Sequence, residues 1–161
     1  MSLTLILVRH GKAEDPQFEI PDRMRSLTQK GMQALSEKAQ QIASLIETSD
    51  AAELWVSPAL RAEQTAEILN DALGIENVSE RDYLFEQDLG AFVEELADSD
   101  VEQLVVVGHI PFMNRLFYYL TGLEMPFATG SVAALDIEDK LSLITGTPTG
   151  EPVAELLWFV S

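Results

Sequence analysis

The chain has 161 residues, with 27 acidic side chains against 10 basic ones and a formal charge of −17. That balance argues against a nucleic-acid surface, which needs clustered Lys and Arg, and the absence of cysteine excludes disulfides, thiolate nucleophiles and Cys-ligated metals. A hydrophobic content of 47% with 23% charged residues fits an ordinary globular chain, read as one domain over residues 1–161 with an acidic, solubilising surface.

The first element is the apolar run over residues 3–8, which stops abruptly on Arg9, His10 and Gly11. A run without polar alternation reads as a strand covered on both faces, as in a parallel α/β sheet. It is too short to span a membrane and lacks the basic leader and cleavage site of a signal peptide, so the expectation is a cytoplasmic protein with no membrane partner. Residues 14–25, with Pro16 and Pro21 and no helical period, read as a loop crossing the carboxyl edge of the sheet. Thr28 then looks like an N-cap, and Leu35, Ala39, Ile42, Ala43 and Ile46 recur at helical spacing, which predicts a helix to about residue 47.

A short strand over 54–56 ends at Ser57-Pro58, and a second helix follows from about 59 to 73, stopped by Gly74. Its inner face is expected to carry Leu60, Thr65, Ile68, Leu69 and Ala72, with Arg61 in the first turn. Residues 81–89 read as a loop, preceded by a short strand near Val78, and 89–97 as a helix with Phe92, Val93 and Leu96 inward. The run over 104–107 repeats the opening pattern: a buried strand that ends on Gly108 and His109. Pro111 suits the first position of a helix reaching residue 120. Residues 132–137, 141–144 and 153–160 read as strands, an antiparallel extension of the sheet.

The chain has two histidines, and each closes a buried strand. Ligands of open α/β sheets bind beyond the carboxyl ends of the strands, so Arg9, His10, Arg61 and His109 are expected to meet at one edge. Two guanidiniums and two imidazoles fit a phosphoryl group, with sulfate as its mimic, because Arg forks match its oxygens in geometry and charge. An imidazole on a rigid strand end can take the phosphoryl group covalently, while the other three side chains stabilise charge on the equatorial oxygens. Gly11 lets the backbone turn close to the ligand, and helix starts near Ala59 and Pro111 add partial positive charge. A zinc site built from the two histidines with Glu14, Asp22 or Glu86 is the rival reading. Arg9 beside His10 opposes it, so no metal and no cofactor is expected. Glu86 is the candidate general acid, against the alternative of a solvated loop carboxylate.

Leu7-Val8-Arg9-His10-Gly11, the segment from Ser57 to Ala66 and Val107-Gly108-His109 resemble three motifs of the histidine phosphatase (phosphoglycerate-mutase-like) superfamily, in its order. The resemblance implies a three-layer α/β/α sandwich with a mostly parallel central sheet, with His10 the phosphorylated nucleophile and Arg9, Arg61 and His109 the phosphate pocket. Arg25-Ser26-Leu27-Thr28-Gln29-Lys30-Gly31 resembles the Arg-x-Leu-Thr-x-x-Gly segment of its SixA branch, the phosphohistidine phosphatases. No stretch is long enough for a capping insertion. That implies an open site and, as substrate partner, a histidine-containing phosphotransfer domain rather than a small phosphomonoester. Two alternatives stay open: a phosphomonoesterase acting on a small phosphorylated metabolite, favoured if Glu86 lies in the pocket, and a non-catalytic phosphoryl-binding module.

Overall fold

The N-terminal apolar run forms strand β1 (Leu3–Arg9), and successive side chains along it feed two different cores. Leu3, Leu5 and Leu7 point to one, Ile6 and Val8 to the other, as the two-residue period of a strand requires. The computed structural model describes residues 2–161. After β1 come helix α1 (Gln29–Leu45), β2 (Glu53–Val56), α2 (Leu60–Leu73), β3 (Asn77–Glu80), α3 (Asp82–Glu86) and α4 (Leu89–Asp98). β4 (Gln103–Gly108), α5 (Phe112–Thr121), β5 (Val132–Ile137), α6 (Ser142–Thr145) and β6 (Ala154–Val160) complete the order.

The six strands form one sheet in the order β3-β2-β4-β1-β5-β6. β3, β2, β4 and β1 run parallel, β5 is antiparallel to β1, and β6 is antiparallel to β5. α1 and α2 cover one face through Ala39, Ile42, Ala62, Ala66 and Leu69. α3, α4 and α5 cover the other through Leu84, Phe92, Leu96, Phe112 and Leu116. This is the α/β/α sandwich expected from the sequence, with its antiparallel C-terminal extension.

Local chemistry explains most boundaries. Thr28 caps α1 by accepting the Gly31 amide at 2.9 Å, and Gly74 ends α2 in the left-handed conformation that glycine adopts without strain. Four readings differ. Residues 141–144 belong to a helical turn, not a strand, because the Asp139 carboxylate takes the Leu141 amide and the buried Lys140 ammonium donates to the Ser99 and Val101 carbonyls. Most of residues 81–89 are helical, in α3 and the start of α4, since burial of Leu84 fixes a segment too short to show a period. Pro111 is the N-cap of α5, after a cis Ile110–Pro111 bond, rather than its first residue. The inner face of α2 carries Ala62, Thr65, Ala66, Leu69 and Leu73, while Leu60, Ile68 and Ala72 are half-buried: the small residues sit where the helix approaches the sheet.

Candidate active site

β1 and β4 are adjacent and parallel, with Arg9 in register with Gly108, so the next residues on each strand, His10 and His109, emerge side by side. The rings stand 5.2 Å apart between centroids at 59°, both buried. The His10 amide donates to the Gly108 carbonyl at 2.9 Å, and the Gly130 amide reaches the Arg9 and His10 carbonyls from the other side. The backbone of the nucleophile candidate is thus held by β4 on one side and by the turn that leads into β5 on the other.

His10 Nδ1 lies 2.7 Å from the Gly11 carbonyl oxygen. A carbonyl can only accept, so Nδ1 carries the proton and the Nε2 lone pair is directed elsewhere. Burial, reinforced by the charges of Arg61, Arg9 and Arg25 and opposed by the Gly11 hydrogen bond, pulls its pKa down to about 4. The ring is therefore neutral and nucleophilic at pH 7. His109 is pulled to about 3, first by burial and then by His10, Arg61 and Arg25, with Asp22 opposing. His109 Nε2 lies 2.8 Å from the buried Ser57 Oγ, which also accepts the Ala59 amide at 3.2 Å. Phe85 packs edge-on against the His109 ring at 5.8 Å.

Arg61 reaches the site from the first turn of α2 and donates to the Asp22 carbonyl at 2.8 Å and its carboxylate at 3.0 Å. Asp22 also receives Arg25 Nε at 2.8 Å. Burial works against ionisation of Asp22, but the Arg25 hydrogen bond and the Arg61 charge outweigh it and hold the carboxyl below its usual range. Arg9 donates to the Phe127 carbonyl at 2.8 Å, and burial lowers its pKa. The Nε atoms of both Arg9 and Arg61 are buried with no hydrogen-bond partner. Four cations, Arg9, Lys12, Arg25 and Arg61, line the cavity with the two imidazoles against two carboxylates, Asp15 and Asp22, a lining whose net positive charge fits an anion.

All four expected side chains line one cavity of about 360 Å³. Asp22, Arg25, Lys12, Phe85 and Gln87 line it as well, none of them expected there as phosphate ligands. Gly11 and Glu86 do not line it. Gly11 donates its amide to Thr65 Oγ1 at 3.0 Å, and a Cβ there would come within 2.7 Å of Leu35, so the missing side chain serves packing. Thr65 in turn donates to the Arg61 carbonyl at 2.7 Å, linking the loop after His10 to the helix that carries the arginine. Glu86 is exposed at the end of α3, and the next residue takes the place expected for it: Gln87 donates to the Ile110 carbonyl at 3.1 Å and accepts the Phe112 amide at 2.9 Å, clamping the His109 loop. Among the described residues no group of three or more His, Asp and Glu side chains converges as metal ligands, and no helix is long and apolar enough to cross a membrane.

The family model of the histidine phosphatase superfamily (branch 1) matches residues 5–103. No curated protein sequence matches the chain. Among solved structures, the protein histidine phosphatase SixA complexed with tungstate is 25% identical over 99% of this chain and 97% of its own, with a TM-score of 0.79. The Agrobacterium tumefaciens protein provisionally assigned as phosphohistidine phosphatase SixA is 22% identical over 99% of this chain and 97% of its own, TM-score 0.78. Its counterpart from Nakamurella multipartitia is 24% identical over 100% and 96%, TM-score 0.76. With the matched region running from the first strand to the start of the strand that carries the second histidine, this chain belongs to the histidine phosphatase superfamily.

Proposed function

We propose that the protein hydrolyses phosphohistidine on a partner protein through a phospho-His10 intermediate. The observation that carries this is the pair of neutral imidazoles 5.2 Å apart in one cavity with the guanidiniums of Arg9, Arg25 and Arg61. His10 Nε2 attacks phosphorus in line as the bond from phosphorus to the leaving nitrogen breaks, and the departing imidazole leaves neutral because its other nitrogen already carries a proton. Water then attacks the phosphorus, the bond to His10 breaks, and inorganic phosphate leaves. Arg9, Arg61 and His109 bear the charge on the equatorial oxygens in both steps, the main contribution a protein makes to phosphoryl transfer.

The choice of substrate rests on the leaving group. A phosphomonoester releases an alkoxide and calls for a proton donor at the cavity. The carboxylates that line the cavity are Asp15 and Asp22, and Asp22 is held ionised between two guanidiniums. A phosphohistidine leaving group needs neither. The likeness to the SixA protein histidine phosphatase, over nearly the full length of both chains, supports the same substrate class.

The test is a histidine-containing phosphotransfer domain carrying labelled phosphohistidine. Label should appear on His10 after a rapid quench, and turnover of this domain should exceed that of sugar phosphates. His10→Ala should abolish turnover with the fold retained, and Arg61→Ala should cost about 3–4 kcal/mol of transition-state stabilisation. Full activity in His10→Ala would sink the covalent route, and binding without turnover by the unaltered protein would make it a phosphoryl-binding module.

A further inference from the structure

The segment between β1 and α1 carries apolar side chains that nothing covers. Phe18 is fully exposed, and Ile20 and Met24 stand out beside it. The segment is not loose. Its neck is closed by the Ala13–Leu27 bridge and by the Glu14 amide donating to the Ser26 carbonyl at 2.8 Å, while Arg25 donates to the Glu14 carbonyl at 2.7 Å. Asp15, Asp22 and Arg25 of the same segment line the catalytic cavity, so its tip rises from the rim of the site.

The loop itself carries Glu14, Asp15, Glu19 and Asp22 against Arg23 and Arg25, but the cavity it overhangs is lined by Arg9, Lys12, Arg25 and Arg61 against Asp15 and Asp22, so the mouth of the site is cationic where the body is acidic. The first 38 residues hold six bases against five acids, whereas the remaining 123 hold four against 22. Lys12 lines the cavity and also an adjoining hollow shared with Lys30, and Arg23 sits 6.0 Å from the Phe85 ring of the cavity wall. Among the described residues, none of Lys12, Arg23 and Lys30 is paired with a carboxylate, in a chain that has 27 of them. Lys30 lies in the first turn of α1, where the helix dipole disfavours a cation and no acidic residue offsets it. Arg23 directly precedes the exposed Met24, and unpaired cations together with exposed apolar side chains have the composition of a protein-binding patch.

We propose that the tip of the 14–25 loop and the cations beside it form the docking surface for the phosphohistidine-bearing protein, and that this partner presents carboxylates and an apolar residue around its phosphohistidine. The inference rests on the phosphohistidine reading above and adds the recognition chemistry. An acidic partner is repelled by the acidic body and meets the cationic mouth of the cavity here, which orients the encounter with the phosphoryl group over His10. A lipid surface fits less well, because an extended plane of headgroups would also meet the acidic body behind the loop, four bases against 22 acids over residues 39–161.

The experiment compares two phosphorylated versions of one histidine-containing phosphotransfer domain, one with acidic residues flanking the phosphohistidine and one with those residues changed to Lys, against free phosphohistidine. In the unaltered enzyme the acidic version should be preferred, and its kcat/KM should fall with salt. Phe18→Ser and the pair Arg23→Glu with Lys30→Glu should each lower kcat/KM on the acidic domain by about tenfold or more, chiefly through KM, with free phosphohistidine turned over as before. Equal turnover of both domains, or variants that match the unaltered enzyme on the acidic domain, would overturn the docking surface and leave the substrate reading standing. Inactivity of the unaltered enzyme on both domains, with sugar phosphates turned over, would overturn both. Binding to phosphatidylglycerol vesicles that Phe18→Ser abolishes would assign the loop to a membrane and overturn the proposal.

Discussion

Ser57 decides which way His109 faces. Its hydroxyl is fully buried, 2.8 Å from Nε2, and the Ala59 amide fixes it in turn. Ser57→Ala leaves that amide without its acceptor and lets the ring turn, so we expect a loss of about 1–3 kcal/mol in stability. A fall of up to about a hundredfold in kcat should accompany it, with KM little changed, read from steady-state kinetics and from the rate of His10 labelling. A purely structural role would leave the labelling rate of the folded fraction untouched. The four residues that converge on the cavity were legible in the sequence, because Arg9, His10 and His109 each follow an apolar strand run and Arg61 opens the helix after another. Ser57 and Gln87 were not. A serine after a strand looks like any helix cap, and Gln87 earns its place only through a left-handed backbone at φ 62° that directs its amide to the Ile110 and Phe112 backbone.

At the level of elements, α1 is set against the end of β1 by a glycine. A Cβ on Gly31 would fall 2.4 Å from the Lys12 carbonyl oxygen, a backbone atom that cannot swing aside. Gly31→Ala should therefore displace the helix start and cost about 1–3 kcal/mol, measured by denaturant titration, although alanine is the better helix former. A gain in stability would mean that the segment after β1 yields freely. On the other face, Arg81, the N-cap of α3, pairs with Glu95 of α4 at 2.8 Å while its guanidinium lies 4.5 Å from the Trp55 ring of β2, tying α3 to both elements. The long periodic helices and the apolar strands could be read from the chain. α3 and α6 could not, since each is a turn or so of helix fixed by tertiary contacts, Leu84 in one case and Lys140 in the other.

For the molecule as a whole, the buried groups set a pH profile. His10 and His109 titrate near 4 and 3 when folded and near 6.5 when unfolded, so the unfolded chain binds more protons between those limits. Stability should thus be full above pH 6.5 and decline as pH falls toward 4, by up to about 3 kcal/mol per pH unit from the two groups together. Glu63 acts in the opposite sense. Its hydrogen bond with Glu80, then burial and the Glu80 charge, raise it to about 7, so its contribution is present below pH 4.5 and lost as pH rises through 7. Glu80→Gln should steepen the acid limb by about one proton, seen in urea midpoints taken every half pH unit. An unchanged slope would show that the two carboxyl groups do not share a proton.

The parallel register of β1 and β4 reaches further than the fold. Because Arg9 pairs with Gly108, the gap between the two rings is set by the hydrogen-bonded repeat of the sheet, not by the loops around them. The sheet is in effect a fixed ruler for one tetrahedral centre. Surface segments can lengthen, shorten or be exchanged by grafting to retarget such a scaffold, and the spacing of the two imidazoles need not be tuned again.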